Sequence, residues 1–247
     1  MANIIKLGNL CLDGHPVEIG SDYVSGQSIE IRDTTSGQRI TWVVVNGMLI
    51  ADRCILEDIS WDDLVAQGLV FGKEVTVRGF RFIVRLLQVC TDEGVPNEWD
   101  DEWDAALDSV GEDDALWHWD RKFFWGQGSV GQAGQPQERR VLRGYYAARF
   151  FDLFTASIRL MRLGFRPALA PLPTEQFAPA LLGQRLMLWG GQNIADGCLE
   201  QVTDYDVVLT DWSGTVLDNP NSGWAIVDGK LAAARETIMG MQTQKGA

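Results

Sequence analysis

The chain has 247 residues, of which 46% are hydrophobic and 10% aromatic, and this is enough to build a substantial core. Its formal charge of -13 at pH 7 repels phosphate backbones, which argues against nucleic acid as a partner. No apolar stretch approaches the roughly 18 residues that a membrane-spanning helix needs, so a membrane span is also excluded.

Cysteine and histidine are sparse and widely spaced. The four cysteines, at positions 11, 54, 90 and 198, form no C-x-x-C pair, and His15 and His118 are the two histidines. This pattern argues against a zinc site and favours free, mostly buried thiols. We expect neither a metal nor a cofactor.

Residues 1–59 show short apolar runs separated by turn signals. The dipeptides Asp13-Gly14 and Asn46-Gly47 each lie between two such runs. Both favour the type I′ hairpin turn, whose two central residues have positive φ. We therefore predict a small N-terminal β unit over residues 1–59.

The stretch that follows mixes helix and strand signals. Ser60 is placed as the N-cap of a short helix that ends at Gly68, and "VTVRGFRFIVRLLQV" indicates two strands broken at Arg78-Gly79. A second helix is predicted over residues 98–110, with Trp99, Trp103, Ala106 and Leu107 on one stripe. Residues 126–137 are polar and glycine-rich, which predicts a mobile loop.

Prolines at positions 167, 171, 173 and 179 mark a linker into a second β-rich unit over residues 174–247. Its pattern is similar to the small, bent β-barrels of the SH3 and Sm-like kind. The run from Trp224 to Leu231 also resembles the run from Trp42 to Leu49, since each is an apolar run with a hairpin dipeptide. The similarity raises the alternative of a repeated hairpin plan.

Carboxylates are the first candidates for chemistry. The five carboxylate residues at 98–104 could supply a general acid and base or a calcium site, and they are Glu98, Asp100, Asp101, Glu102 and Asp104. No calcium-loop spacing occurs, so we interpret them as the solvated face of a helix. His118 has no recognisable nucleophile partner and is interpreted as structural. The sequence carries no catalytic motif, and we expect a protein that is not an enzyme.

The stretch "RGYYAARFFDLFTASIRLMRLGFRPAL", residues 143–169, fits neither a regular helix nor a regular strand. As a helix its apolar residues would cover too much of the circumference, and as a strand Phe150-Phe151 and Leu153-Phe154 break the alternation. One reading is a buried segment whose arginines pair with carboxylates. The other is an irregular surface segment that exposes aromatic side chains for recognition while arginines hold it in place.

This run, with the upstream "RFIVRLL", "NEWD" and "WHWD", resembles the variable proteins of diversity-generating retroelements, of the C-type-lectin-fold kind found in gut bacteria and their phages. In that family an error-prone reverse transcriptase rewrites asparagine codons in a stretch that ends in "GFRP". The resemblance covers roughly residues 72–170 and implies fixed positions at Arg143, Gly144, Ala148, Arg149, Ser157, Arg159, Gly164, Phe165, Arg166 and Pro167, which we call the fixed set. It implies diversified, ligand-binding positions at Tyr146, Phe150, Phe151, Asp152, Leu153, Phe154, Ile158, Leu160, Met161 and Arg162, which we call the variable set.

Met161 departs from the pattern, because changing only the two adenines of an asparagine codon does not give methionine. Arg149, Arg159 and Arg166 are expected to be more buried than their neighbours, and the variable set, Phe151 and Met161 apart, is expected to share one exposed surface. The first and last strands of such a domain pair, so "FRFIVRLL" and "LGFRPAL" are predicted to lie side by side.

The resulting expectation is an α+β fold. A C-type-lectin-like domain over residues 60–173 lies between the N-terminal β unit and the C-terminal small barrel. The function implied is binding of a protein or cell-surface ligand. With no signal peptide in "MANIIKLGNLCLDG", the protein is expected to be cytoplasmic on synthesis, or associated with a virion or cell surface through an assembly. The oligomeric state stays open, a homo-oligomer included. Two alternatives remain: a carbohydrate-processing enzyme that uses the carboxylates at 98–104, and a structural phage or particle component.

Overall fold

A computed structural model describes the chain apart from residues 1, 35, 90, 93–94, 97–100, 131–138, 175, 218 and 246–247. The fold is mostly β, with 50% of the residues in strands and 12% in helices. The glycine-rich, tryptophan-rich composition indicated such an architecture, because turn-rich β proteins use both residue types heavily.

The described residues contain three α-helices: α1 (Trp61–Ala66), α2 (Glu102–Val110) and α3 (Asp114–Trp117). Short 3-10 turns cover Pro179–Leu181, Pro220–Ser222 and Arg235–Thr237. The strands, numbered in chain order, are β1 (Ile4–Leu12), β2 (His15–Pro16), β3 (Ser21–Asp22), β4 (Ile29–Arg32), β5 (Arg39–Val45), β6 (Met48–Ala51), β7 (Leu56–Glu57), β8 (Lys73–Val77), β9 (Phe80–Leu86), β10 (Thr91–Asp92), β11 (Val95–Pro96), β12 (Phe123–Val130), β13 (Arg139–Gly144), β14 (Phe151–Thr155), β15 (Leu163–Phe165), β16 (Pro167–Pro171), β17 (Arg185–Gly190), β18 (Asn193–Val202), β19 (Asp206–Thr215), β20 (Trp224–Val227), β21 (Lys230–Ala234) and β22 (Gly240–Thr243).

The first sheet runs in the order β2-β1-β5-β6-β16-β9-β8, and β4 also pairs with β1. Three of its hairpins turn on two residues with positive φ. These are Asp13-Gly14 (48° and 80°), Asn46-Gly47 (49° and 74°) and Arg78-Gly79 (54° and 78°). Positive φ at both central residues is the requirement of the type I′ turn, and the hairpin predictions are confirmed.

Strands β9 and β16, which are far apart in the sequence, are neighbours in the first sheet. The two strands are antiparallel, with Pro167 opposite Leu86 and Pro171 opposite Phe82. The predicted neighbourhood of "FRFIVRLL" and "LGFRPAL" is thereby confirmed. Strand β16 also pairs with β6 on its other side, so the proposed boundary at residue 59 falls within one continuous sheet.

The second sheet runs in the order β14-β13-β12-β15-β7-β3. Its strand β12 corrects the prediction of a loop over residues 126–137, because residues 126–130 are in the strand; residues 131–138 lie outside the described part of the chain. The glycines that suggested a loop are needed for close packing. A Cβ on Gly126 would lie 1.8 Å from Val89 Cγ2, and one on Gly128 would lie 2.3 Å from Val89 O.

Both predicted helices are confirmed within the described residues. Ser60 caps α1, and Asp63 completes a reciprocal capping box with it. Helix α2 begins at Glu102 with Asp101 as its N-cap, and it buries Trp103 and two further residues of the predicted stripe. Positions 98–100, where that helix was expected to begin, lie outside the described residues.

The C-terminal unit is a six-stranded antiparallel sheet in the order β20-β21-β19-β18-β17-β22. It packs on the first sheet, since Trp189 and Ile194 belong to the same buried cluster as Trp42. The Gln242 side chain accepts a hydrogen bond from Arg81 N and donates one to Arg81 O, at 2.8 and 2.9 Å. The similar hairpins around Asn46-Gly47 and Asp228-Gly229 share their turn type but lie in different sheets.

Two of the predicted buried thiols, Cys11 and Cys54, are indeed buried and free, while Cys198 is free and half-buried. Cys90 lies outside the described residues. Within the described part of the chain, no helix combines the length and apolar character required to cross a bilayer.

Candidate functional site

Burial separates the fixed set from the variable set. Seven fixed positions are buried: Arg143, Gly144, Ala148, Gly164, Phe165, Arg166 and Pro167. No member of the variable set is buried. Tyr146, Leu160, Met161 and Arg162 are exposed and the remaining six are half-buried. The segment therefore alternates between residues that hold the backbone and residues that contact solvent.

The core of the segment is a strand at the edge of the second sheet, which corrects the expectation of irregular structure. Strand β14 pairs with β13 on one side, with Phe151 opposite Arg143 and Thr155 opposite Arg139. All five of its residues are half-buried. Because neither face is fully covered, neither face requires a purely apolar set, and this explains why the sequence lacks strict alternation.

The side chains of this strand divide between two faces. Phe150 and Phe154 lie on the face of Phe123, at ring-centroid distances of 6.1 and 6.3 Å. Phe151 and Leu153 pack on the opposite face, against the buried cluster that contains Trp117 and Ala148. The expectation of one shared surface is therefore wrong for Leu153, because neighbouring residues of a strand point to opposite faces.

One face carries a group of four half-buried rings around the exposed ring of Tyr146. We call this group the aromatic surface: Phe123, Tyr145, Tyr146, Phe150 and Phe154. Phe123 stacks on Tyr145 at 4.7 Å with 13° between the planes, and Tyr146 meets Tyr145 and Phe150 edge to face at 4.7 and 5.0 Å. Tyr146 is 72% exposed. Offset and edge-to-face pairs of this kind hold aromatic groups in defined orientations.

Sequence reasoning missed Phe123 and Tyr145. Tyr145 adjoins Tyr146 in the sequence, but Phe123 is brought in only by the pairing of β12 with β13, where it lies opposite Gly144. No sequence signal links Phe123 to the segment.

Three residues in or beside the aromatic surface have left-handed backbone conformations. Tyr145 (φ 79°) belongs to the surface, and Arg121 (φ 54°) and Arg162 (φ 73°) lie beside it. The Arg121 N–H donates to Tyr145 O at 2.9 Å, and the Phe123 N–H donates to Arg162 O at 2.8 Å. Residues other than glycine adopt this conformation at a cost of about 1 kcal/mol or more, so the surrounding hydrogen bonds must hold it.

Arg143 is the buried anchor of the segment. Its side chain is 1% exposed; Nη2 forms an ion pair with Asp104 and lies 3.6 Å from Asp101, while Nη1 donates to Arg149 O at 3.1 Å. Burial raises the pKa of Asp101, and the nearby Arg143 guanidinium opposes that rise. This arginine thereby joins helix α2 to the start of segment 143–169.

Arg149 differs from its prediction. It was expected to be more buried than its neighbours, but its side chain is 41% exposed, whereas Ala148 is buried and Phe150 half-buried. It donates to Glu112 and Asp108 at 2.6 Å each. The hydrogen bonds that the guanidinium donates to Glu112 and to Asp108 raise its pKa. Arg143 pairs with the buried Asp101 and the half-buried Asp104, whereas the closest contacts of Arg149 are with the outer carboxylates of Asp108 and Glu112.

Arg166 is buried, as expected. Its side chain is fully buried, and Nη2 donates to the carbonyl oxygens of Trp117 and His118. The guanidinium lies 4.9 Å from the Trp103 ring centroid and 4.6 Å from that of Phe124. Burial lowers the pKa of this guanidinium. Ring faces and carbonyl groups solvate the charge here.

Arg159 holds the far end of the segment to helix α1. It donates to Asp63 at 2.7 Å, and both side chains keep some contact with water. Burial alone would raise the pKa of Asp63, but hydrogen bonds from Ser60 and the Arg159 guanidinium outweigh it and lower the pKa. Asp63, which completes the capping box of α1, is therefore also a contact of segment 143–169.

The carboxylates of α2 are not simply a solvated helix face. Glu102 pairs with Arg85 at 2.6 Å, Asp101 caps the helix, and Asp104 pairs with Arg143. Glu98 and Asp100 lie outside the described residues. His118, interpreted as structural, lies with Nε2 2.9 Å from Arg53 Nη2.

Among the residues that the structure describes, no group of three or more His, Cys, Asp or Glu side chains could hold a metal ion. The chain matches no protein-family model, no curated protein and no solved structure.

Proposed function

We propose that this protein is a ligand-binding protein whose segment 143–169 is diversified by a retroelement and recognises protein or cell-surface ligands. The proposal rests on one observation, the burial split within the segment. The fixed positions lie mostly in the interior, whereas every variable position contacts solvent. A segment whose residues can change without loss of the fold requires this distribution, because exposed substitutions usually change stability by about 0.5 kcal/mol or less.

The aromatic surface supplies side chains that would contact a ligand. Tyrosine and phenylalanine rings supply large contact areas at low conformational cost, and they are typical anchors of binding surfaces. Tyr146 is 72% exposed, and the half-buried rings that contact it would present further aromatic area to a ligand. Binding without catalysis accounts for these features.

The finer architecture belongs to the same proposal. We assign residues 60–173 to a C-type-lectin-like domain, supported by the pairing of β9 with β16 and the position of the variable segment between β13 and β16. The C-terminal sheet is assigned to the SH3 and Sm-like barrels, supported by its antiparallel strand order and by the register shifts between β18 and β19. Both assignments describe a rigid support for a changing surface.

Two libraries test the tolerance that the proposal requires. In the first, the ten variable positions are randomised; in the second, seven buried fixed positions are randomised. Both are displayed on yeast, and resistance to protease measures folding. We expect a substantial folded fraction in the first library and almost none in the second. Similar folded fractions in the two libraries would contradict the proposal.

The flanking DNA supplies a second test. The proposal requires a near-copy of the segment with asparagine codons at the variable positions, beside a reverse-transcriptase gene. Folded clones of the first library should also differ in which purified surface proteins they bind. If the folded clones show no difference in binding, the recognition role fails even where tolerance is observed.

A further inference from the structure

We propose that the free edge of strand β14 binds an extended segment of a partner protein by strand addition, so that backbone hydrogen bonds supply part of the affinity. The proposal rests on the proposed function and names the partner chemistry of that site. It explains why the variable set occupies both faces of a strand. A flat recognition surface would use only one.

Register determines which backbone groups of β14 are free. The Gly144 N–H donates to Phe150 O at 2.9 Å, in line with the antiparallel register that places Arg143 opposite Phe151. Hydrogen-bonded and non-hydrogen-bonded pairs alternate along an antiparallel ladder. The backbone groups of Asp152 and Phe154 therefore face β13, and those of Phe151, Leu153 and Thr155 point away from it.

Two hydrogen bonds agree with this alternation. The Leu153 N–H donates to its neighbour's carboxylate oxygen, Asp152 Oδ1, at 2.8 Å, and Thr155 O accepts from Ile158 N at 3.1 Å. Neither group is used in the ladder. Among the described strands, β14 is terminal in its sheet and pairs only with β13. With respect to the described residues, the N–H and C=O groups of Phe151 and the C=O group of Leu153 are therefore available at the edge.

Asp152 covers the edge in the free protein. An edge strand with unpaired N–H groups can pair with other chains, and proteins commonly block such edges with charged side chains. The Asp152 carboxylate does this locally by accepting from the Leu153 N–H. A carbonyl group of an arriving strand would accept from the Leu153 N–H instead, and the carboxylate would be released to solvent.

The side chains beside the edge define the occupant. Phe150 and Phe154 flank it on one face, and Phe151 and Leu153 flank it on the other. An added strand projects its own side chains alternately to both faces, so it would meet apolar groups on each side. The occupant is therefore an extended segment with apolar, β-branched or aromatic side chains. Its sequence preference would change with the variable residues, while its backbone contacts would not.

A phage-displayed library of random linear twelve-residue peptides, selected on the full chain, tests this mode of binding. We expect enriched peptides with alternating apolar residues. N-methylation of single backbone nitrogens in a synthetic copy should weaken binding at least tenfold at every second position and little at the positions between. Binding without this period-two pattern, or no enrichment at all, overturns the proposal.

Variants of the protein provide an independent measurement. Leu153→Pro removes an outward N–H without breaking the ladder to β13 and should weaken peptide binding at least tenfold relative to Leu153→Val, which keeps the N–H. Asp152→Ala should strengthen binding about threefold or more by freeing that N–H. Equal affinities of the Pro and Val variants, at unchanged melting temperature, overturn the proposal. If Leu153→Pro unfolds, the N-methylation pattern decides.

The remaining outcomes are also decisive. A dimer of the free protein that Leu153→Pro dissociates would mean that a second copy covers the edge, and this overturns a peptide occupant. If peptides do not bind by strand addition but many members of the library randomised at the variable positions fold, the proposed function still holds. If almost no member of that library folds, the proposed function is refuted, regardless of the result of the peptide selection.

Discussion

Removing the Arg143 guanidinium should destabilise the protein far more than removing that of Arg149, although both contact Asp104. In Arg143→Met the buried carboxylate of Asp101 loses its ion-pair partner and keeps only the backbone N–H groups of the helix N-terminus. Asp104 is partly compensated, because Arg149 Nη1 remains 3.6 Å away. The unpaired charge is therefore mainly that of Asp101.

The magnitude follows from burial. Arg143 and Asp101 side chains are each 1% exposed. Breaking a buried pair by removing one partner costs about 3–5 kcal/mol. For a chain of this size each kcal/mol lowers the melting temperature by about 2–4 °C, so the expected decrease is about 6–20 °C. Arg149→Met breaks exposed pairs worth about 0–1 kcal/mol each.

Thermal unfolding followed by circular dichroism measures both variants at pH 7. A decrease for Arg143→Met no larger than that for Arg149→Met would refute the reasoning. The pH dependence is an internal control. The raised pKa of Asp101 means that its contribution is most favourable when it is protonated and becomes less so as pH rises through that pKa. The loss in Arg143→Met should therefore shrink as pH falls toward 4, and Asp101→Asn in the same chain should recover part of it.

Three further outcomes are expected. Arg159→Ala should cost about 1 kcal/mol, since the pair with Asp63 is only partly buried, and this cost should disappear as pH falls below 3.8 through the lowered pKa of Asp63; urea unfolding at pH 7 and pH 3 measures it. Tyr146→Ala should change stability by about 0.5 kcal/mol or less, whereas Trp103→Ala should cost about 3–5 kcal/mol, and equal effects would mean that the aromatic surface is core. EDTA should leave the melting temperature and peptide binding unchanged; a loss of binding with the fold intact would reveal a metal requirement.

Local chemistry made part of the fold predictable. The Asp-Gly and Asn-Gly turns require positive φ at both residues, and few residue pairs satisfy this, so the hairpins could be located from two letters each. Ser60, a favoured N-cap residue, was equally informative about the start of α1. The pairing of β9 with β16 came from the family resemblance, because strands 80 residues apart leave no local signal.

The errors have a common origin in tertiary contacts. Glycines in β12 were interpreted as a loop, but they are required by the close passage of Val89. Arg149 and Arg143 are equivalent arginines in the sequence, and only the position of α2 decides which one is buried. The aromatic surface depends on Phe123, which reaches the segment through a sheet pairing.

Under the proposed function, an edge strand is a favourable place for residues that change, and the contacts of the variable set imply that its members could change to different extents. Strand β14 contributes to the sheet through backbone hydrogen bonds that every residue except proline supplies. Tyr146, Met161 and Arg162 can vary with little effect on packing because they are exposed. Phe154 and Ile158, in contrast, pack against the main core, and polar replacements there should cost stability. Diversification would then be broad at the rim of the surface and restricted to apolar residues beside the core. Replacing Phe154 and Ile158 should therefore be the part of a multiple substitution that lowers stability.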